Sequence, residues 1–245
     1  MMNKTYLKIV NILAISTFIT LIACDDDDNA DLDVPNHRVI YTSEMDFQNR
    51  IQVNGDITLG DVSPGVISRT WTFPEGVVDI VDSNNDLTST KAVVNVIFTQ
   101  PGEFGVDLHQ VFEDDAYVGE TLVGKELDTT ITVQVLDYVN ISVQAYYLND
   151  DDTLGSPLDL TDTAENELEA GKRIRYALET TGGPENIVWT FEGGNPETLN
   201  NGDIEVDVTY PQTGVYDFQV IANRDRPFGG DTIAVKALVR VIPPN

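Results

Sequence analysis

Cysteine and histidine are scarce in this sequence. Its 245 residues include a single cysteine, Cys24, and two histidines, His37 and His109. One cysteine excludes an internal disulfide, and so few of these side chains leave no zinc-ligand spacing and no cysteine–histidine catalytic pair. A Gly-x-Ser-x-Gly nucleophile motif is absent as well. The sequence therefore predicts no catalytic residues, no metal site and no cofactor, and we expect a protein that is not an enzyme.

Positive charge is also scarce. Lysine and arginine number 14 against 41 aspartates and glutamates, which gives a net charge of −27. Residues 1–23 hold two lysines and no acids, so a chain without them has 12 basic and 41 acidic residues and a charge of −29. Repulsion disfavours nucleic acid, anionic lipid and highly sulfated polysaccharide as partners. Neutral ligands and bound calcium remain compatible with this charge.

Long hydrophobic runs are missing except at the N-terminus. The apolar run from Ile9 to Ala23 is too short for a comfortable membrane span and predicts an export signal at residues 1–23. It ends in Leu21-Ile22-Ala23-Cys24, which resembles the lipobox of bacterial lipoproteins. The resemblance implies cleavage before Cys24 and acylation of that residue, which anchors the protein in a membrane. The alternative is a plain signal peptide with an incidental cysteine.

An acidic tract follows Cys24 within a tether at residues 24–36. Asp25, Asp26, Asp27 and Asp28 resemble the acidic export signal of surface-exposed lipoproteins of the Bacteroidota. That resemblance implies attachment to the outer membrane, facing the cell exterior. Two alternatives stay open, because such a run is also typical of a solvated tether and another bacterial sorting rule takes Asp after the cysteine as inner-membrane retention.

One pattern occurs twice in the rest of the chain. Trp71-Thr72-Phe73 and Trp189-Thr190-Phe191 are offset by 118 residues, whereas the segments Val94–Val106 and Val206–Phe218 are offset by 112. Within these segments apolar residues alternate with polar ones up to a Pro-Gly or Thr-Gly turn, which indicates half-buried antiparallel strands. No long helical period interrupts the short strand-like segments. The sequence therefore predicts an all-β protein made of two copies of one domain.

The repeated motif resembles PKD-type domains, which are immunoglobulin-like β-sandwiches. The resemblance rests on Trp-x-Phe with glycine close behind and on aromatic residues flanking the glycine turn. It implies two tandem sandwiches at residues 37–136 and 137–245, each with its tryptophan in the core. The family's usual Gly-Asp-Gly is replaced by Pro74-Glu75-Gly76 and Glu192-Gly193-Gly194. A role of that aspartate therefore does not transfer to this chain.

The alternation places each strand approximately. Strands are predicted at 38–41, 50–53, 67–73, 92–98, 104–112 and 130–136, and then at 141–147, 174–178, 187–191, 204–210, 216–220 and 233–241. An irregular acidic connection is expected at 149–169. In the last strand the pattern puts Ala237 on the same inward face as Val235 and Val239.

Aromatic residues left outside the cores are the candidates for ligand binding. The apolar face of a sugar stacks on an aromatic ring while its hydroxyls need polar neighbours. The loop at 223–230 combines Arg224, Arg226 and Phe228, and Tyr117 lies in the equivalent loop at 113–126. Tyr146 is predicted to point outward from its strand. Phe228 has an alternative role as a plug at the end of its sandwich.

Together, the lipobox, the acidic tract and the repeated domain resemble surface glycan-binding lipoproteins of polysaccharide-uptake systems in Bacteroidota. The resemblance implies non-catalytic capture of a neutral or weakly charged polysaccharide beside an outer-membrane glycan-uptake complex. The alternative is a spacer or adhesin that contacts other proteins. The acidic clusters 113–115 and 150–152 are open to calcium or to water alone.

Overall fold

The structure is a computed structural model that describes residues 36–84, 87–161 and 166–244. Cys24 and the acidic tract Asp25–Asp28 lie outside this part of the chain. Regular structure in the described residues is almost entirely β, with one 3₁₀ turn at Met45–Phe47. No helix there is long and apolar enough to cross a membrane.

The described residues form twenty-one strands. The N-terminal half contains β1 (Asn36–His37), β2 (Ile40–Thr42), β3 (Arg50–Gln52), β4 (Asp56–Asp61), β5 (Val66–Thr72), β6 (Val78–Ile80), β7 (Thr88–Ser89), β8 (Val93–Phe98), β9 (Gly102–Phe112), β10 (Ala116–Val118), β11 (Thr121–Val123) and β12 (Glu126–Leu136). The C-terminal half contains β13 (Asn140–Leu148), β14 (Leu154–Pro157), β15 (Asn166–Glu169), β16 (Arg173–Thr181), β17 (Asn186–Phe191), β18 (Thr198–Leu199), β19 (Glu205–Thr209), β20 (Gly214–Arg224) and β21 (Gly229–Ile242).

The five-stranded sheets of the two halves have the same strand order, and the four-stranded sheets share three strands and differ in the strand at one edge. The first half forms sheets in the order β2-β4-β8-β6 and β3-β12-β9-β5-β7, and the second half forms β14-β13-β16-β19 and β15-β21-β20-β17-β18. Each half encloses a separate hydrophobic core. In both, a short strand pairs parallel with the last strand, β3 with β12 and β15 with β21. This strand order confirms the predicted all-β fold of two tandem immunoglobulin-like sandwiches, called sandwich 1 and sandwich 2 below.

The two tryptophans occupy equivalent core positions. Both Trp71 and Trp189 are fully buried, as predicted. The indole N–H of Trp71 donates to the carbonyl oxygen of Lys91 at 3.0 Å, and that of Trp189 donates to the carbonyl oxygen of Asp203 at 2.8 Å. The two acceptors are 112 residues apart, which is the offset of the repeated strand pattern. Each copy therefore fixes its tryptophan by the same backbone bond.

An aromatic cluster fills the centre of sandwich 2. Tyr176 on β16 stacks on Phe218 of β20 with ring centroids 4.9 Å apart, and Trp189 lies 6.1 Å from Phe218. The hydroxyls of Tyr176 and Tyr210 are 2.9 Å apart in the interior. Burial raises the pKa of Tyr210 to about 12, because the phenolate would lose its hydration there. Sandwich 2 thus places an aromatic pair across its two sheets, where many immunoglobulin domains place a disulfide.

A tyrosine closes the turn before β20. The Tyr216 hydroxyl donates to the carbonyl oxygens of Gln212 and Thr213 at 3.1 and 3.3 Å, which is the tyrosine corner of immunoglobulin-like folds. A Cβ added at Gly193, which has φ +67°, would lie 2.2 Å from the Tyr216 ring. Glycine is therefore required beneath this ring. Phe104 takes the equivalent place in sandwich 1 and has no hydroxyl to bond.

Several short strands were not predicted from the sequence. The acidic connection at 149–169 was predicted to be irregular, but it contains β14 and β15. β15 pairs parallel with β21 through residues 166–169, and parallel pairing with a distant strand leaves no turn signal in the local sequence. The hairpin loop at 113–126 likewise contains β10 and β11.

The last strand departs from simple alternation at one place. Ala237 was predicted to face inward, but it is exposed with φ +52°, and Leu238 is buried instead. Between the pairs Phe218–Val235 and Tyr216–Val239, three residues of β21 oppose one residue of β20, Asp217. The Asp217 carboxylate accepts the Ala237 N–H at 2.8 Å and pairs with the Lys236 ammonium. Two extra residues thus bulge outward, and the core pattern resumes in phase.

Candidate functional site

The strongest candidate loop lies where sandwich 2 meets sandwich 1. The turn at 225–228 joins β20 to β21, and the Arg226 guanidinium carbon lies 4.2 Å from the centre of the Phe47 ring in the 3₁₀ turn of sandwich 1. Beside it, Arg50 Nη2 pairs with Glu185 Oε1 at 3.2 Å. Glu185 also accepts the Asp225 N–H, and these two bonds lower the pKa of its carboxyl group. The loop is therefore positioned by contacts from both sandwiches.

We define the junction ledge as four side chains of the two turns that the Arg226–Phe47 contact joins: Met45, Phe47, Arg226 and Phe228. Phe228 is 81% exposed, the largest exposure among the large hydrophobic residues described, and Met45 and Phe47 are 54% and 37% exposed. Water-exposed aromatic surface beside a guanidinium suits a ligand with both an apolar face and hydroxyls. The sequence analysis missed Met45 and Phe47. Their signal is two large apolar residues in the otherwise polar segment 43–49.

Arg224 does not belong to the ledge. It is the last residue of β20, and its side chain is fully buried. Nε donates to the carbonyl oxygen of Pro227 at 2.8 Å, both terminal nitrogens donate to that of Asp137 at 3.3 Å, and Nη1 also donates to that of Gly182. Burial lowers the pKa of Arg224, and the nearby Arg50 adds to this. The guanidinium therefore fastens the turn to the interdomain linker, and no donor points toward a ligand.

The two tyrosines of the candidate set lie elsewhere. Tyr117 on β10 is half-buried and stacks on His37 with ring centroids 5.2 Å apart, in the small sheet where the described chain begins. Tyr146 on β13 is half-buried and donates its hydroxyl to Gln144 Oε1 at 2.7 Å. β13 belongs to the sheet of sandwich 2 opposite the one that carries the turn at 225–228. The structure thus brings together Arg226 and Phe228, but neither tyrosine.

The acidic clusters are engaged with cationic side chains. Asp114 pairs with Lys125 at 3.1 Å, and Asp150 pairs with Lys172 at 2.8 Å. In the described ranges, no three histidine, cysteine, aspartate or glutamate side chains are grouped so that they could hold a metal ion. The Nδ1 atom of His109 lies 2.8 Å from Asp128 Oδ1 on the exposed face of the sheet. Asp114 and Asp150 thus belong to surface ion pairs with lysines.

Comparisons with known proteins find similarity in structure alone. No family model and no curated protein matches the sequence of this chain. Fibronectin(III)-like modules of Clostridium thermocellum CbhA align with 12% identity over 83% of this chain and 95% of theirs, with a TM-score of 0.33. Murine CEACAM1b aligns with 9% identity over 85% and 99%, TM-score 0.41, and the amphioxus IgVJ-C2 molecule with 11% over 77% and 98%, TM-score 0.41. At such low values the PKD-type assignment stays an expectation from the motifs.

Proposed function

We propose that this protein is a lipid-anchored, non-catalytic surface protein that captures a neutral or weakly charged polysaccharide for uptake and holds it at the junction ledge. The 81% exposure of Phe228 carries the proposal. An aromatic ring that could pack into its sandwich but instead faces water offers a stacking platform for a sugar ring. Arg226, in the same turn, supplies donors for the sugar hydroxyls.

The charge of the chain supports a neutral polymer. A net charge of −27 repels sulfated and strongly acidic polysaccharides, whereas uncharged ones approach without penalty. Stacking on one ring contributes only about 0.5–1.5 kcal/mol beyond the buried area, by analogy with aromatic pairs. We therefore expect weak binding of a short sugar and stronger binding of a polymer that makes several contacts.

Location follows from the N-terminal motifs within this proposal. Acylation at Cys24 would anchor the chain, and Asp25–Asp28 would direct it to the exterior of the outer membrane. The protein would meet incoming polymer there and deliver it to a glycan-uptake complex in the same membrane.

Affinity electrophoresis tests the binding. Residues 25–245 are run through gels that contain amylopectin, dextran, galactomannan or mixed-linkage β-glucan. We expect retardation in at least one gel, its loss in Phe228→Ala, and its retention in Ile67→Ala. Ile67 is the matched control because it is 66% exposed on sandwich 1 and removes a similar apolar area. Equal retardation of wild type and Phe228→Ala would move the site away from the ledge, and no retardation in any gel would contradict glycan capture.

Lipidation is tested separately. Cys24→Ala removes the acyl acceptor, so metabolic labelling with a fatty acid should mark the wild type and leave the variant unlabelled. Replacement of Asp25–Asp28 by asparagine should reduce protease access on whole cells. Equal labelling of Cys24→Ala, or unchanged protease access, would refute the respective assignment.

A spacer function is the second candidate, and the junction favours it. Arg50, Arg224 and Arg226 all bind across or beside the interdomain contact, as expected of a unit that holds two sandwiches in fixed orientation. A spacer would show no retardation in any gel. A glycan-binding protein with a rigid junction would show retardation and would also hold its two sandwiches in a fixed orientation.

A further inference from the structure

The outer face of β17, β20 and β21 carries no charge over three complete cross-strand rows. The rows, which we call the uncharged track, are Asn186–Asn223–Gly230, Val188–Ile221–Thr232 and Thr190–Gln219–Ala234. All nine residues point away from the core and are exposed or half-buried. Nine uncharged outward positions are unexpected in a chain that has 41 acidic residues.

Sandwich 1 provides an internal comparison. Its equivalent rows on β5, β9 and β12 are Ser68–Val111–Glu126, Thr70–His109–Asp128 and Thr72–Asp107–Thr130. Three of these nine positions are acidic and a fourth is histidine. The same face of the same fold thus tolerates charge in one copy, so its lack in sandwich 2 is not a requirement of the fold.

The track offers hydrogen-bonding groups that the protein does not use. Five of its side chains are amides or hydroxyls, and none of them bonds to another residue of the described chain: Asn186, Thr190, Gln219, Asn223 and Thr232. Along β21 the outward positions are Gly230, which has no side chain, and Thr232 and Ala234, whose side chains are short, so this side of the face is low. Val188 and Ile221 add an apolar strip in the middle row. A low face with an apolar strip at its centre suits the apolar faces of sugar rings, and the amides beside the strip suit their hydroxyl groups.

The uncharged track runs from the junction ledge at one end to a surface depression at the other. Its first row ends at Gly230, two residues beyond Phe228 of the junction ledge. Its last row lines a depression of about 320 Å³ together with Glu192, Glu197, Asp217, Phe218 and Lys236, and the Asp217 carboxylate is paired with Lys236. This volume is at the lower end of the range for small-ligand sites. Glu197 has no ion pair among the described residues, so its carboxylate is open to accept bonds from hydroxyls.

We propose that the uncharged track binds an extended neutral polysaccharide chain that runs along β21 from the junction ledge to the depression; this rests on the proposed function and extends its site. Four residue steps separate Gly230 from Ala234, which is about 14 Å at strand rise. A chain that reaches the depression therefore contacts more than one sugar's length of surface. A second copy of this protein would bring its own large negative charge, which disfavours it as the occupant.

A pair of isosteric variants tests the track. Thr232→Asp and Thr232→Asn place side chains of the same shape in the middle row and differ in charge. An aspartate beneath the apolar face of a sugar would lose water without gaining a partner, so we expect Thr232→Asp to weaken polymer binding by about tenfold. Thr232→Asn should bind like the wild type. Thr132→Asp, on the outward face of sandwich 1, is the control for added charge.

Ligand length separates the ledge from the track. Calorimetric titration uses a graded series of oligosaccharides of the retained polymer, from the disaccharide upward. In the wild type we expect affinity to rise with length, and in Thr232→Asp we expect the gain for long ligands to vanish while the disaccharide binds as before. Polymer binding that is lost in Phe228→Ala but equal in wild type and Thr232→Asp would refute the track and leave the ledge intact. Failure of the wild type to bind any glycan would refute both the ledge and the track as glycan sites. If the wild type forms concentration-dependent dimers that Thr232→Asp abolishes, the face serves self-association instead.

Discussion

Arg224→Met should destabilise the protein although it removes an expensive buried charge. The methionine fills much of the space of the arginine but leaves the carbonyl oxygens of Asp137, Gly182 and Pro227 without their donor. A buried acceptor left unpaired costs about 1–3 kcal/mol. The three acceptor residues are exposed or half-buried, so the low end applies and the sum for the three carbonyl oxygens is about 3 kcal/mol. Release of the guanidinium from its desolvated position offsets a part, and the net loss of unfolding free energy should be about 2–3 kcal/mol.

Urea unfolding measures this loss. Arg226→Met is the matched control, because it makes the same substitution two residues away and removes only a stacking contact with Phe47 worth about 0.5–1 kcal/mol. We also expect faster proteolysis of Arg224→Met within the linker at 137–139, since that segment loses its fastening. If Arg224→Met costs no more than Arg226→Met, and the linker is cut at the same rate, the fastening role is wrong.

Five further substitutions probe the two cores and the tyrosine corner. Trp71→Ala and Trp189→Ala should each cost about 3–5 kcal/mol and mainly unfold their own sandwich, because each is fully buried in a separate core. Burial raises the pKa of Tyr210 from 10 to about 12, so its contribution is complete below pH 10 and is lost as the pH rises toward 12, a decrease of about 2–3 kcal/mol that Tyr210→Phe should reduce. Tyr216→Phe should cost about 0.5–1.5 kcal/mol through the corner bond, whereas Phe104→Tyr in sandwich 1 should cost nothing.

Fluorescence and urea midpoints check these values. Since the chain has two tryptophans, each Trp→Ala variant leaves a reporter in the other sandwich, and that reporter should unfold at nearly the wild-type midpoint. A cost below about 1 kcal/mol would place the tryptophan on the surface. Equal alkaline losses in wild type and Tyr210→Phe would show that another group titrates. Equal stability of Tyr216→Phe and wild type would show that the corner bond does not contribute to the free energy of unfolding.

The sequence was sufficient for the parts of the fold that repeat. Alternation and the glycine turns placed β8, β9, β19 and β20 in the correct relative register, because each of these strands has one face in a core and one in water. The 112-residue offset predicted from side chains reappears in the backbone acceptors of the two indoles, Lys91 and Asp203. Periodicity works here since burial of one face determines which residue types each position accepts.

The sequence was insufficient to predict local structure where the partner of a residue is distant in the chain. The bulge at Ala237 depends on the Asp217 carboxylate of the neighbouring strand, and Val-Lys-Ala-Leu-Val alone predicts plain alternation. Arg224 was assigned to a ligand site because the loop at 223–230 combines arginines with an aromatic residue, whereas its acceptors include residues 137 and 182, which are distant in the chain. Phe47 gained its place in the ledge from a contact made 179 residues further along the chain, by Arg226.

The aromatic pair across the sheets of sandwich 2 has a consequence for how the chain reaches its folded state. A disulfide at Tyr176 and Phe218 would close a loop of 42 residues and remove about 4 kcal/mol of conformational entropy from the unfolded chain. Stacked rings stabilise the folded state alone and leave the unfolded chain unrestricted. Since the single cysteine lies outside both sandwiches, folding needs no oxidant and no disulfide shuffling. The two sandwiches should therefore refold equally well under reducing and oxidising conditions.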